Sequence, residues 1–224
     1  MLPVPTQFLS NRSQYVMVDG CHSKLVNMAS GVTRGSVLGL QLFLLYTAKL
    51  FSKVKNKLLG YADDSSLVAV VLYLLLRIVA VTASIIRDLN RVSVWCNQWG
   101  MKLNTSKTKT MIVSRPCTVH PQLTSLTLDG TVFKESADLI ILEVTFDAMM
   151  IFEKHLHSVY SAAAQRLGIM RKSWHVFHDR SLLLRSFWSF VVPVLKYYSP
   201  VWCSAADLHL KLLDKVVRDY DMKH

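Results

Sequence analysis

Short apolar runs and helically spaced apolar positions follow one another along the chain and predict its elements. Residues 83–99 carry apolar side chains at helical spacing, and Gly100 follows where such a helix would stop. Residues 40–50 contain neither glycine nor proline and are long enough to favour a helix. Further helices are predicted at residues 152–175, at residues 180–197 with a bend at Pro193, and at residues 207–218.

Apolar runs of strand length precede the helical region. Residues 57–61 and 65–71 flank Ala62-Asp63-Asp64, so we expect a hairpin with both carboxylates at its tip. The other predicted strands lie at residues 14–18, 24–29, 111–113, 125–128 and 139–146, with turn signals at Asp19-Gly20 and Asp129-Gly130. The pattern predicts an α+β region over residues 1–148 and an all-helical region over residues 149–224.

Composition and charge narrow the class of protein. Among 224 residues, 51% are hydrophobic and 18% are charged, which excludes a disordered chain. Four widely spaced cysteines exclude a disulfide scaffold. Basic residues outnumber acidic ones by 26 to 15, giving a net charge of +11, so we expect a polyanionic partner, either nucleic acid or an anionic membrane.

The N-terminal residues favour an intracellular location. They lack a basic leader followed by an apolar core, so we expect no secretory signal and a cytoplasmic or nuclear protein. Residues 67–86 nevertheless have the length and apolar character of a membrane span. Arg77 near the middle opposes insertion by about 2.5–3.5 kcal/mol. The alternatives are a membrane-spanning helix and a buried strand that runs on into a core helix.

Two histidine pairs are candidate metal ligands. His155-x-His157 and His175-xx-His178 have no neighbouring cysteines at zinc-site spacing. The sequence therefore predicts no metal role for them.

The strongest chemical signal is Tyr61-Ala62-Asp63-Asp64. Adjacent carboxylates at a tight turn repel each other unless a cation lies near them. Mg²⁺ takes carboxylate oxygens and keeps open positions for substrate phosphates. The functional interpretation is a divalent-metal site, and the alternative is a solvated Asp-Asp turn.

Four stretches in order along the chain resemble the reverse transcriptase of non-LTR retrotransposons. They are residues 8–14 (FLSNRSQ), 31–43 (GVTRGSVLGLQLF), 61–64 (YADD) and 99–108 (WGMKLNTSKT). Residues 165–169 and 201–203 are similar to the thumb of that family and to the segment that follows it. The resemblance covers nearly the whole chain.

The resemblance implies a partial right-hand polymerase palm, with an antiparallel sheet and packed helices, followed by a helical thumb-like region. It implies RNA-directed DNA synthesis with an RNA template, a DNA primer, dNTP substrates and two Mg²⁺ ions. Asp63 and Asp64 would be the catalytic metal ligands. The expected contacts to nucleotide and primer–template come from Tyr61, Gly31, Arg34, Gly35, Ser36, Gly39 and Lys107. For Lys107 a solvated lysine is the alternative.

The chain also departs from the family pattern. The first catalytic aspartate of the family lies in a motif well before the glycine-rich stretch, where this chain has only Asp19 as an acid. Thr33-Arg34 replaces a Pro-Gln pair, and Glu143 stands where the family has glycine. We therefore expect a truncated copy without the fingers, inactive by itself.

Two functions from other classes remain open. One is a non-catalytic nucleic-acid-binding protein, whose expected backbone contacts are Lys154, Arg166, Arg171 and Lys172. The other is a membrane-anchored protein held by residues 67–86.

Overall fold

The computed structural model describes residues 8–33, 35–71, 75–114, 126–128, 130–173 and 180–221. The chain divides into two compact units, Met1–Leu103 and Asn104–His224. The described residues combine helices with small two-stranded antiparallel sheets, in agreement with the α+β class. The boundary between palm and thumb at residue 148 stays a prediction.

The first unit begins with four two-residue strands in two antiparallel pairs. These are β1 (Ser13–Gln14) with β4 (Val26–Asn27), and β2 (Met17–Val18) with β3 (Cys21–His22). Asp19 and Gly20 join β2 to β3 with φ angles of 49° and 78°, as an Asp-Gly turn should. The strand predicted over residues 14–18 is interrupted at Tyr15 and Val16.

A single helix, α1 (Val37–Phe51), follows the glycine-rich stretch. The Ser36 Oγ accepts a hydrogen bond of 2.9 Å from the Gly39 N–H, which caps the helix. The helix starts three residues before the predicted 40–50 segment because of this cap. A Cβ at Gly39 would lie 2.5 Å from the carbonyl oxygen of Thr33, so the loop can cross the first turn only over glycine.

Residues 57–68 form the predicted hairpin. Strand β5 (Lys57–Tyr61) pairs with β6 (Asp64–Val68) in the register Lys57↔Val68 to Tyr61↔Asp64. Its tip therefore holds Ala62 and Asp63, whereas Asp64 is the first residue of β6. The prediction of both carboxylates at the tip is thus corrected for Asp64.

A long helix, α2 (Leu75–Gln98), completes the first unit. Its buried residues Val92, Trp95 and Cys96 pack with Leu50 of α1. The Gly100 φ is 66°, and the Met101 N–H donates to the Cys96 carbonyl over 2.8 Å, so the helix ends at glycine as predicted.

Residues 67–86, the segment weighed as a membrane span, begin in a strand and not in a helix. Leu67 and Val68 belong to β6, and α2 begins only at Leu75. The intervening residues 72–74 lie outside the described residues. In the part of the chain that the structure describes, no helix has both the length and the apolarity that a membrane crossing requires.

The second unit opens with two small hairpins. They consist of β7 (Thr127–Leu128) with β8 (Thr131–Val132), and β9 (Asp138–Ile141) with β10 (Val144–Asp147). The single strand predicted over residues 139–146 is therefore wrong, because Leu142 and Glu143 turn the chain with φ angles of 49° and 65°. Residues 111–113 form no strand, and Asp129 lies outside the described residues.

The described residues after β10 are mainly helical, in line with the helices predicted there. The helices are α3 (Glu153–Ser173), α4 (Arg180–Phe190), α5 (Val192–Lys196), α6 (Ser199–Trp202) and α7 (Asp207–Asp221). The predicted 180–197 helix breaks at Val191, two residues before Pro193, because proline cannot donate the next helical hydrogen bond.

One core joins these helices to the second hairpin. Val144 of β10 is buried together with Phe152, Leu156 and Val159 at the start of α3 and with Leu213 of α7. The carboxylate of Asp147 accepts hydrogen bonds from the N–H groups of Met149, Ile151 and Phe152. Burial alone would raise the pKa of Asp147, but these bonds hold it below its ordinary value.

Candidate catalytic hairpin

The tip of the β5–β6 hairpin is a two-residue turn between Tyr61 and Asp64. Its first central residue, Ala62, has a φ of 51°, a conformation in which glycine is preferred. An alanine there carries a strain of about 1–2 kcal/mol. Strained turns that persist often mark functional sites, because the surrounding structure must hold them.

The two faces of the hairpin carry different groups. Gly60, Ala62, Asp63 and Ser65 line a shallow cleft of about 230 Å³. The rest of the lining comes from α1 and from the segment after α2: Phe43, Leu44, Thr47, Ala48, Leu50, Phe51 and Met101. Strand alternation turns the paired residues Tyr61 and Asp64 to the opposite face. Asp63 therefore faces the cleft, and Asp64 lies beside Tyr61.

Both carboxylates are exposed, and neither makes a hydrogen bond or an ion pair with another described residue. Their oxygens are open to a hard cation, which fits the ligand preference of Mg²⁺. Within the described ranges, no third acidic, histidine or cysteine side chain joins Asp63 and Asp64 in a metal-ligating group.

The glycine-rich stretch is held in place by Arg12. The Arg12 guanidinium donates to the carbonyls of Ser30 and Gly31, and its Nε donates to the Leu9 carbonyl over 3.2 Å. Gly31 and Gly35 have φ angles of 87° and 77°. The sequence resemblance included Arg12 within residues 8–14, but no pattern indicated this contact. Arg34, a predicted contact residue, lies outside the described residues.

Helix α1 links three of the four stretches that carry the resemblance. The glycine-rich stretch leads directly into its N-terminus, and the ring of Phe51 at its other end lies against Gly60 of the hairpin. The Tyr46 hydroxyl donates to the Trp99 carbonyl, and their rings pack edge to face at 5.3 Å. The packing of α1 thus brings together three stretches that are far apart in the sequence.

A buried carboxylate that the sequence did not indicate fixes the loop before the hairpin. Asp88 of α2 is fully buried. Its Oδ2 accepts hydrogen bonds from the backbone N–H groups of Lys55 and Asn56 at 2.9 and 2.7 Å, and its Oδ1 accepts from Arg91 at 2.8 Å. Burial alone would raise the pKa of Asp88, but these bonds hold it below its ordinary value.

The predicted backbone-contact residues all lie in the second unit, and the contacts of Lys154 and Arg166 are resolved in detail. Lys154 forms an exposed ion pair with Asp138, which raises the pKa of Lys154 and lowers that of Asp138. Arg166 donates to the Phe190 carbonyl over 2.9 Å, with its guanidinium 5.6 Å from the Phe190 ring centre.

The other predicted contact residues differ in their surroundings. Lys172 is exposed, and Arg171 is half-buried near the end of α3. Lys107 is exposed in a turn organised by Asn104, whose Oδ1 accepts from the Lys107 N–H over 3.3 Å. Lys107 belongs to the second unit, and Asp63 belongs to the first. Each of these roles stays a prediction.

A further basic stripe was missed by the sequence reasoning. Lys211, Lys215 and Arg218 lie on α7 at positions i, i+4 and i+7, and all three are exposed. This spacing puts them on one side of the helix. The same spacing is visible in the sequence and would have indicated the stripe.

Comparison with known proteins gives the same family as the motifs. Residues 2–135 match the family model described as "Reverse transcriptase (RNA-dependent DNA polymerase)". The chain is 26% identical over 219 residues to an RNA-directed DNA polymerase from mobile element jockey of Drosophila melanogaster. It is 27% identical over 215 residues to a probable RNA-directed DNA polymerase from transposon BS of the same species.

These similarities cover 92% and 89% of the chain but only 23% and 22% of the two relatives. The jockey polymerase of Drosophila funebris is 26% identical over 213 residues, with 91% of the chain and 22% of the relative covered. The chain thus spans less than a quarter of the length of these curated relatives. No solved structure matches it.

Proposed function

Because the chain belongs to the reverse transcriptase family, as the match of residues 2–135 shows, we propose that its β5–β6 hairpin is the divalent-metal hairpin of an RNA-directed DNA polymerase. The polymerase would be of the non-LTR retrotransposon type. The observation that carries the proposal is the open carboxylate of Asp63 on a strained two-residue turn beside the α1 cleft.

In this proposal the two carboxylates have unequal roles. Asp63 faces the cleft between the hairpin and α1 and is the firmer ligand, whereas Asp64 lies on the face of Tyr61. Two Mg²⁺ ions, when bound, supply charge neutralisation and activation for the attack of a primer hydroxyl on a dNTP. Arg12 and Gly39 position the glycine-rich stretch against the start of α1, where it would line the nucleotide pocket.

We further propose that the described residues do not assemble a complete catalytic centre by themselves. Holding two divalent cations would need a further acidic ligand beside this pair, and within the described ranges no third acid joins Asp63 and Asp64. Synthesis then requires a further carboxylate from another segment or another chain. The chain alone would bind a divalent cation weakly and would not extend a primer.

The test has two measurements on the full chain. The first is Mn²⁺ binding by electron paramagnetic resonance, because Mn²⁺ takes the same oxygen ligands as Mg²⁺. We expect weak saturable binding that is lost in Asp63→Asn and reduced less in Asp64→Asn. Asp19→Asn is the matched control, since Asp19 also lies in a two-residue hairpin turn of the same unit.

The second measurement is primer extension on a poly(rA) template with Mg²⁺ or Mn²⁺. We expect no incorporation by the chain alone. Incorporation that disappears in Asp63→Asn would overturn the proposed need for a further carboxylate. Mn²⁺ binding that is equal in Asp63→Asn and Asp19→Asn would overturn the metal role of the hairpin.

A second candidate function is sequence-independent binding of a nucleic-acid backbone. It is supported by the exposed stripe Lys211, Lys215 and Arg218 on α7 together with the net charge of +11. We expect affinity for an RNA–DNA hybrid to fall steeply with salt, and Lys215→Ala to reduce the salt slope by about 1.

Arg166→Ala provides the contrast, because Arg166 is engaged with Phe190. We expect this change to lower stability by about 1–2 kcal/mol while the salt slope stays unchanged. Equal slopes in the wild type, Lys215→Ala and Arg166→Ala would exclude the α7 stripe as the binding surface.

A further inference from the structure

Three side chains with metal-ligating atoms meet at the start of two helices in the second unit. Glu153 and His157 belong to the first turns of α3, and His209 belongs to the first turn of α7. The ligand atoms of these three residues all lie within 4.8 Å of one another. Glu153 and His157 are exposed, and His209 is half-buried.

The surrounding packing fixes the two helices that carry the cluster. Glu153 and His157 are four residues apart, so they lie on the same side of α3. Leu156 and Val159 of α3 pack in one core with Leu213 and Val216 of α7. The two helices are thereby held together beneath the exposed ligand atoms.

Hydrogen bonds fix where each helix begins. Asp147 accepts from the N–H groups of Ile151 and Phe152, directly before α3. The His209 N–H donates to the Ala206 carbonyl over 2.9 Å at the start of α7. The ligand-bearing turns are therefore positioned by the fold, and only side-chain rotations remain for metal binding.

We propose that Glu153, His157 and His209 form a zinc site. Two imidazoles and one carboxylate are a zinc donor set, whereas Mg²⁺ prefers oxygen ligands alone. Tetrahedral coordination at about 2.1 Å puts ligand atoms about 3.4 Å apart. The exposed side chains of Glu153 and His157 reach this spacing from 4.8 Å by rotamer changes. Three ligands leave the fourth position open for water.

The expected consequence is a metal clamp between α3 and α7. The positive ends of both helix dipoles point toward the cluster and oppose a cation. The Glu153 carboxylate offsets this opposition, since it supplies a negative ligand at the same place. The sequence places His155 and His157 side by side, but the partners of His157 are Glu153, one turn earlier, and the distant His209.

The test is binding of Zn²⁺ and Co²⁺ to the full chain. We expect one equivalent of Zn²⁺ by isothermal titration and a rise in melting temperature that a chelator reverses. Co²⁺ should give the absorption of a nitrogen–oxygen site without a thiolate charge-transfer band, which separates this cluster from Cys21 and Cys203. His157→Gln and His209→Gln should each weaken Zn²⁺ binding by at least about tenfold.

His22→Gln is the matched control, because His22 is an exposed histidine of the first unit. If a changed circular dichroism spectrum shows that His209→Gln perturbs the fold, Glu153→Gln replaces it in the comparison of Zn²⁺ affinities, because Glu153 is exposed on α3. Zn²⁺ affinity that is the same in His157→Gln, Glu153→Gln and His22→Gln overturns the proposal, as does a Co²⁺ thiolate band. The site is independent of Asp63 and Asp64, so neither outcome bears on the proposed polymerase function.

Discussion

The ring of Phe51 lies against the backbone of Gly60, so that a Cβ at Gly60 would stand 2.5 Å from Cζ of Phe51. Phe51 is the last residue of α1, and Gly60 is the penultimate residue of β5. The contact joins the helix after the glycine-rich stretch to the strand that carries the acidic turn. Any side chain at residue 60 would therefore displace either the Phe51 ring or the backbone of β5.

Gly60→Ala is therefore expected to destabilise the first unit. The added methyl group overpacks the contact, with a cost of about 1–3 kcal/mol. Phe51→Ala removes the ring, so the double variant Phe51→Ala/Gly60→Ala should be more stable than the sum of the single effects. Urea denaturation measures all three variants.

Gly168→Ala serves as the control, since nothing lies within 4 Å of a Cβ at that position in α3. It should be stabilising by about 0.5–1 kcal/mol. Additive effects of Phe51→Ala and Gly60→Ala would show that the two residues do not interact.

Glu143→Gly should stabilise the second unit. Glu143 follows Leu142 in the β9–β10 turn, and both residues have a left-handed backbone conformation with positive φ. Glycine at the second position relieves about 1–2 kcal/mol of strain and costs about 0.5–1 kcal/mol of entropy. A net gain of about 0.5–1 kcal/mol is expected in thermal or denaturant unfolding. Glu143→Ala removes the same carboxylate but keeps the strain, and an equal gain in that variant would contradict the argument.

Asp88 should make stability depend on acid pH. Its folded pKa lies below the ordinary 3.8, so the unfolded chain binds more protons in that range. The stabilisation is present above about pH 3.8 and is lost as pH falls through the folded pKa. Asp88→Asn should reduce this dependence and lower the free energy of unfolding at pH 7 by about 3 kcal/mol, because two backbone bonds lose a charged acceptor.

Unfolding measured from pH 7 to pH 2.5 tests this prediction. Asp19→Asn removes an equal charge from an exposed turn and is the control. If Asp88→Asn and Asp19→Asn gave the same pH profile, the loop before the hairpin would not depend on Asp88.

His155 should destabilise the second unit in mild acid. It is buried in α3 at 3% exposure, and its Nδ1 accepts from the Thr145 N–H over 3.4 Å. Its Nε2 has no hydrogen-bond partner among the described residues. Burial lowers its pKa below the ordinary 6.5, so the unfolded chain binds more protons below pH 6.5. Stability is fully present above about pH 6.5 and falls as pH drops through the folded pKa.

His155→Leu should remove this loss between pH 7 and pH 5, because leucine has no proton to gain. Thermal unfolding across this range is the measurement, and His22→Gln should retain the wild-type slope. If the stability of His155→Leu still fell with pH as steeply as that of the wild type, groups other than His155 would be responsible for the pH dependence.

The hairpin, the helix stop and the family were accessible from the sequence because each has a local signal. Two strand-length runs around Asp63-Asp64 predicted β5 and β6, and Gly100 predicted the end of α2. The hairpin and the helix stop depend on neighbouring residues alone, and the family follows from four short stretches that occur in order along the chain.

Other features required the tertiary fold. Neither Leu142 nor Glu143 is a turn residue, so the residues themselves do not indicate the turn that precedes the buried Val144. Asp88 occupies an otherwise helical segment, and only the approach of Lys55 and Asn56 explains its burial. Glu153 and His157 have ligand spacing, but their partner His209 is brought in by the packing of α7 on α3.

The anchoring of the loop between α1 and β5 by Asp88 has a further consequence for recognition. The exposed side chains of Lys53, Lys55 and Lys57 project from backbone that is already ordered. A polyanion that binds there does not have to order a flexible loop. The protein therefore loses little conformational entropy on binding. The association rate would then depend on long-range electrostatic attraction to these fixed lysine side chains. It would be high at low ionic strength and would fall as the salt concentration rises.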